Sequence, residues 1–201
     1  MKIPRIVLTG GPCGGKTTAQ HDLIEELARV GYRTICVPEV ATLFFGSGFT
    51  IHDFLSDKVY HLQKGILQEQ IALEDSLVRV AGVLSGKVLL LCDRGALDGK
   101  AYTAAADWER ILVELGTDEG KLLARYDLVF HLTTAADGAE EHYSSQTNEC
   151  RFESVKEALE TDRKLRAAWE NHPQHMIIPN EGGMARKLEC IIRKLDVCVR
   201  L

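Results

Sequence analysis

Eight consecutive residues, Gly10-Gly11-Pro12-Cys13-Gly14-Gly15-Lys16-Thr17, match G-x-x-x-x-G-K-[ST] at every fixed position. Glycines at these places let a backbone curl until its N–H groups converge on an anion. The lysine that follows can reach the β- and γ-phosphates of a nucleoside triphosphate, and the threonine hydroxyl can ligate Mg²⁺. The expected phosphate-binding residues are therefore Gly11, Pro12, Cys13, Gly14, Gly15, Lys16, Thr17 and Thr18. Lys16 is expected to act in catalysis as well, and Thr17 to hold the metal. The competing reading is a glycine-rich turn that merely ends a strand, and it leaves Lys16 without a purpose.

Three further positions could complete such a site. Asp93 follows the apolar run Val88-Leu89-Leu90-Leu91-Cys92. An aspartate delivered by a buried strand can hold Mg²⁺ directly or through water; the alternative is a helix cap. Arg94 comes next and is placed to contact an anionic or hydroxylated acceptor, or else to make a surface salt bridge. Glu39 ends the segment Thr34-Ile35-Cys36-Val37-Pro38. Its carboxylate could take the proton of an acceptor hydroxyl as that hydroxyl attacks the γ-phosphate; capping a helix and binding Mg²⁺ through water are the alternatives.

The residues that must position this chemistry alternate in period. Residues 3–8, 33–38, 87–92, 127–132 and 176–179 read as short buried strands. Residues 17–30 carry helical spacing (Ala19, Leu23, Leu27, Val30) and stop at Gly31. Residues 51–84 repeat apolar side chains every three or four positions, with a break expected near Lys64-Gly65. Helical segments are also expected over 98–106, 108–115, 119–125, 154–169 and 185–197. Strands alternating with helices predict an α/β P-loop fold: a mostly parallel five-stranded sheet with helices on both faces. In such sheets ligands bind outside the carboxyl ends of the strands. The loop, Glu39 and Asp93 all fall there.

Residues 133–153 are polar and lack periodicity, too long a stretch for an ordinary connection. They are expected to form a lid that closes over the site and excludes water. Within them Arg151 is the expected charge on the transferred phosphoryl group; Arg163 and Lys164, just beyond, are weaker candidates, and a solvated loop is the alternative. After the last strand, Asn180 is expected to read the edge of the nucleotide base. ATP and GTP both fit these features.

The chain has 201 residues, 45% hydrophobic and 26% charged. That suits one domain over residues 1–201 with a lid inside it. Its 29 acidic against 24 basic residues give a formal charge of −5, which does not favour nucleic acid as a partner. No apolar run approaches the ~20 residues of a membrane span, so a cytoplasmic location is expected. The six cysteines include no C-x-x-C pair and are expected to be reduced thiols. Cys13, inside the loop, stands apart because N–H groups and a lysine there could lower its pKa.

With these pieces in order, the chain resembles a family of stand-alone P-loop domains of the type found at the N-terminus of the TRPL translocation defect protein of animals. The matching residues are Leu8-Thr9 with the loop through Thr18, then Val37-Pro38-Glu39-Val40-Ala41-Thr42, Asp93-Arg94-Gly95, Thr133-Ala135-Asp137-Gly138-Ala139-Glu140, and the lid segment Asn148-Glu149-Cys150-Arg151-Phe152-Glu153. The animal protein is associated with GTP binding and phosphatidic-acid-linked trafficking. A more distant similarity runs to ribosylnicotinamide and deoxynucleoside kinases. It implies a carboxylate after the second strand that acts as base or binds substrate, which supports Glu39. Two functions follow as expectations. One is a small-molecule kinase moving the γ-phosphate of ATP to a nucleoside-like or other hydroxyl. The other is an NTP-dependent switch for a protein partner. The chain lacks the Asn/Thr-Lys-x-Asp guanine motif of conventional GTPases, which favours the kinase. An NTPase acting on a nucleic-acid end is the weakest reading.

Overall fold

The computed structural model describes residues 2–55, 58–138 and 154–199. Its five strands are β1 (Arg5–Thr9), β2 (Tyr32–Val37), β3 (Lys87–Asp93), β4 (Leu128–Leu132) and β5 (His175–Ile178). All pairings are parallel, in the order β2-β3-β1-β4-β5. The helices are α1 (Lys16–Arg29), α2 (Val40–Gly46), α3 (Val59–Ala81), α4 (Ala105–Glu114), α5 (Glu119–Leu123), α6 (Val155–Ala168) and α7 (Gly183–Val199). The architecture is the expected α/β one.

Strands β1, β3 and β4 are apolar on both faces because helices cover both. Side chains alternate across the sheet. Val7, Leu90, Cys92 and Val129 pack with Tyr60 and Leu67 of α3 and with Trp108 and Ile111 of α4. Ile6, Leu8, Leu89, Leu91, Leu128 and Phe130 pack with Leu23 and Leu27 of α1 and with Ile191 and Leu195 of α7. At the amino edge of the sheet, Glu74 of α3 is fully buried. It accepts from Tyr126 Oη at 2.7 Å and Arg125 Nη2 at 2.9 Å. That cluster ties α3 beneath the strands, away from the carboxyl edge.

The expected helix over 51–84 is shorter. Residues Ile51–Phe54 form a 3-10 turn, and α3 runs unbroken from Val59 to Ala81. Gly65 does not break it. A Cβ at Gly65 would stand 3.2 Å from the Phe44 ring, so this glycine lets α2 close onto α3. Helix α2 itself lies in a stretch to which the sequence reading assigned no element. Residues Asp98–Tyr102 form a 3-10 turn rather than the expected helix over 98–106. No helix among the described residues is long and apolar enough to cross a membrane.

Candidate active site

Strand β1 ends at Thr9, and the chain turns through the glycine-rich loop into α1. Gly10 has φ +133°, and a Cβ there would lie 2.1 Å from the Leu132 carbonyl oxygen. Only glycine lets the loop lie this close to β4. Gly15 caps α1 in the left-handed region, at φ 86°. The N–H groups of Gly14 and Gly15 donate to no protein acceptor among the described residues. Such amides beside a helix N-terminus are what a phosphate requires. Lys16 is buried, its ammonium donating to the carbonyls of Gly10 at 3.3 Å and Gly11 at 3.1 Å. Thr17 and Thr18 are exposed on the first turn.

Three elements outside the loop hold it. From α6, Asp162 Oδ1 accepts the Gly11 N–H at 2.8 Å and the Thr134 N–H at 3.2 Å. Thr134 Oγ1 donates to Pro12 O at 2.5 Å. From α7, Lys187 Nζ donates to Gly14 O and Thr133 O, both at 3.0 Å. Burial pushes the Asp162 carboxyl up, but His131 beside it and the two N–H donors outweigh that and hold it below the usual range. His131 Nε2 stands 3.1 Å from Asp162 Oδ2 without hydrogen-bond alignment.

At the same carboxyl edge of the sheet, β2 delivers Glu39 and β3 delivers Asp93 and Arg94. Glu39 sits at the N-cap position of α2, yet its side chain makes no capping bond. It turns instead to Arg94, whose Nε donates to Oε1 at 2.5 Å, and to Thr42, whose hydroxyl donates to Oε2 at 2.7 Å. Burial raises the Glu39 pKa, but the Arg94 charge and both hydrogen bonds prevail and lower it. The side chain is therefore a carboxylate at neutral pH. Arg94 has φ +70°, and its N–H donates to Leu8 O at 3.0 Å, so it leaves β3 by a sharp turn. Its Nη1 reaches Asp98 Oδ2 at 3.3 Å and Gly10 O at 3.5 Å. The salt bridge weighed as an alternative exists, but it is mostly buried and faces a cavity. Asp93 stands opposite Leu8 in the register. No helix begins at Asp93; the next turn starts at Asp98 with Leu97 as its N-cap.

The cavity measures about 510 Å³. Pro12, Glu39, Arg94 and Asp98 line it on the loop side, while Phe45, Phe49, Leu62, Ile66 and Leu67 form apolar walls. The buried amide of Gln63 and the Tyr102 side chain also line it.

Other expected residues fall differently. Asn180 Nδ2 donates to Thr134 O at 2.7 Å and Asp137 O at 2.6 Å, so its amide N–H₂ group braces the chain after β4. Arg163 and Lys164 are exposed and pair with Glu160. Arg151, with residues 139–153 of the expected lid, lies outside the described residues. Cys36, Cys92 and Cys190 are free thiols. Cys13 is disulfide-bonded, against the expectation of a reduced loop thiol. Among the described residues no group of three or more His, Cys, Asp or Glu is placed to hold a metal. Thr17 and Asp93 are hard oxygen donors that suit Mg²⁺ only with phosphate oxygens and water completing the shell.

Asp98 joins the two halves of the site, and the sequence reading gave it no role. It is 3% exposed and accepts from Thr9 Oγ1 at 2.9 Å and Trp169 Nε1 at 2.6 Å, besides Arg94. Asp98→Ala strands three buried donors, one of them charged. The expected cost is about 3–5 kcal/mol, measured by urea unfolding. A loss below about 1 kcal/mol would show that water replaces the carboxylate.

The family model AAA_28, described as an AAA domain, matches residues 5–187. Among solved structures, the chain is similar to a deoxyadenosine kinase from M. mycoides with bound dATP. The TM-score is 0.63 at 14% identity, over 96% of this chain and 99% of that one. It is also similar to the thymidylate kinase of Candida albicans. There the TM-score is 0.66 at 16% identity, over 98% of this chain and 92% of that one. At these identities the likeness is one of fold. No curated protein matches the chain.

Proposed function

We propose that this chain, which belongs to the AAA_28 family of AAA domains, is a phosphotransferase that moves the γ-phosphate of ATP to a hydroxyl of a nucleoside-like small molecule. The observation that carries this reading is the Glu39–Arg94 pair. It joins a 2.5 Å hydrogen bond to a cavity lined by Pro12 of the phosphate loop. Fold likeness to a nucleoside kinase and a nucleotide kinase is consistent with it.

The roles follow from position. Residues 11–18 hold the triphosphate, and Lys16 exchanges its loop carbonyls for β- and γ-phosphate oxygens. Thr17 and Asp93 would hold Mg²⁺, which would neutralise charge on the phosphates. Glu39 accepts the hydroxyl proton while the acceptor oxygen bonds to the γ-phosphorus and the bond to the β,γ-bridging oxygen breaks. Arg94 keeps Glu39 ionised and orients it. The apolar walls suit a planar body, and an amide such as Gln63 can both donate to and accept from a base edge. Arg151 is assigned to the transferred phosphoryl group, and Asn180, through its oxygen, to the nucleotide base.

The test is a screen of nucleosides, nucleotides and vitamins with γ-labelled ATP and GTP. A new phosphorylated product is expected with at least one of the two donors. Release of labelled inorganic phosphate alone, across all acceptors, would replace the kinase by an NTPase of the switch type.

A further inference from the structure

Lys187 sits in the apolar stripe of α7, four and eight residues before the buried Ile191 and Leu195. A helix face that packs on a sheet ordinarily excludes an ammonium, because burying the charge is costly unless it is paired. Lys187 is nevertheless only 5% exposed. Its two acceptors are neutral carbonyls, those of Gly14 and Thr133. Among the described residues it makes no ion pair with a carboxylate. The charged groups facing it are Asp162 from α6 and Lys16 from α1. Strand β4 offers the Thr133 carbonyl, with His131 beside Asp162. Burial lowers the Lys187 pKa to about 8, Lys16 adding to that effect and Asp162 opposing it.

The contact with Gly14 has a geometric consequence. A trans peptide sets C=O and N–H antiparallel. With the Gly14 carbonyl turned to Lys187, the Gly15 N–H points the opposite way, and it has no protein acceptor among the described residues.

We propose that Lys187 is a second cation of the triphosphate site, a positioning residue that orients the Gly14–Gly15 peptide and whose unpaired charge is balanced by a bound polyphosphate. This rests on the reading of residues 10–17 as a phosphate loop and is independent of the acceptor. An anion that favours the ammonium form must raise its pKa. By the same linkage, affinity is full below the free pKa of about 8 and falls as pH rises above it. A lysine that merely ties two carbonyls together would show neither effect.

The experiment follows Lys187 in the wild-type protein by NMR with ¹³Cε-labelled lysine, the resonance being assigned with Lys187→Arg. Titrations are run alone, with inorganic tripolyphosphate, and with ATP. The Lys187 pKa is expected to rise to about 9 or higher with either anion. Lys187→Met should weaken ATP binding by about tenfold or more, and AMP binding by less than about threefold. Should the methionine variant fail to fold, Lys187→Arg remains decisive. It should keep ATP affinity within about threefold of wild type and lose the decline above pH 8, since arginine does not titrate there. A Lys187 pKa unmoved by both anions, or equal losses for ATP and AMP, would overturn the proposal. Wild-type protein that binds neither ATP nor GTP would instead overturn the phosphate-loop reading beneath it.

Discussion

Lys16→Ala lowers affinity for ATP and for GTP by at least about a hundredfold and leaves the fold in place. Two charge-assisted hydrogen bonds to phosphate, at about 1.5–3 kcal/mol each, are removed together with the charge. The fold should tolerate the loss. The ammonium donates to the Gly10 and Gly11 carbonyls, at 3.3 and 3.1 Å, and water in the loop can take over both. Asp162, Thr134 and Lys187 still hold the loop from three other elements. Lys16→Arg should recover little, because a planar fork does not fit where a compact ammonium reaches between two phosphates. Isothermal titration with both nucleotides, beside a thermal unfolding curve, separates binding from folding. Affinity within about threefold of wild type would remove the loop from the site.

Most of the sheet was legible because its strands are short runs of aliphatic residues, a pattern that parallel strands covered on both faces require. The loop was legible because its glycines occur in a fixed motif. Helix α2 was not: Leu43, Phe44 and Phe45 supply apolar residues without a clean period, and Leu43 and Phe45 stay exposed. Gly65 misled because a glycine inside a helical pattern usually costs stability, whereas here it admits the Phe44 ring. The residues that brace the loop were overlooked, yet each left a trace. Asp162 falls in the buried stripe of α6 with Ala158 and Leu165, and Lys187 falls in that of α7 with Ile191 and Leu195. A charge in an otherwise apolar stripe needs a partner from elsewhere in the fold. In both cases the partner is backbone of the phosphate loop. Asp98 left a weaker signal, since only the tertiary fold brings Thr9 and Trp169 to it.

The same physics makes Glu39 the most informative single replacement on the acceptor side. Glu39→Gln preserves size and can still meet Thr42 or Arg94 through its amide oxygen, but it cannot hold a proton taken from a hydroxyl. Against the acceptor found in the product screen, kcat should fall about 10²–10⁴-fold, with ATP affinity unchanged within about threefold. The wild-type pH profile gives an independent check. The Glu39 pKa is lowered in the folded protein, so the active carboxylate persists through neutral pH and is lost only as pH falls below the ordinary carboxylate range. Thr42→Val removes the 2.7 Å hydrogen bond to Oε2 and should move that acid limb upward without abolishing transfer. If Glu39→Gln keeps more than about a tenth of wild-type kcat, a solvent water takes the proton, as a loose phosphoryl-transfer transition state permits. The Arg94–Glu39 pair would then serve to position the acceptor rather than to deprotonate it.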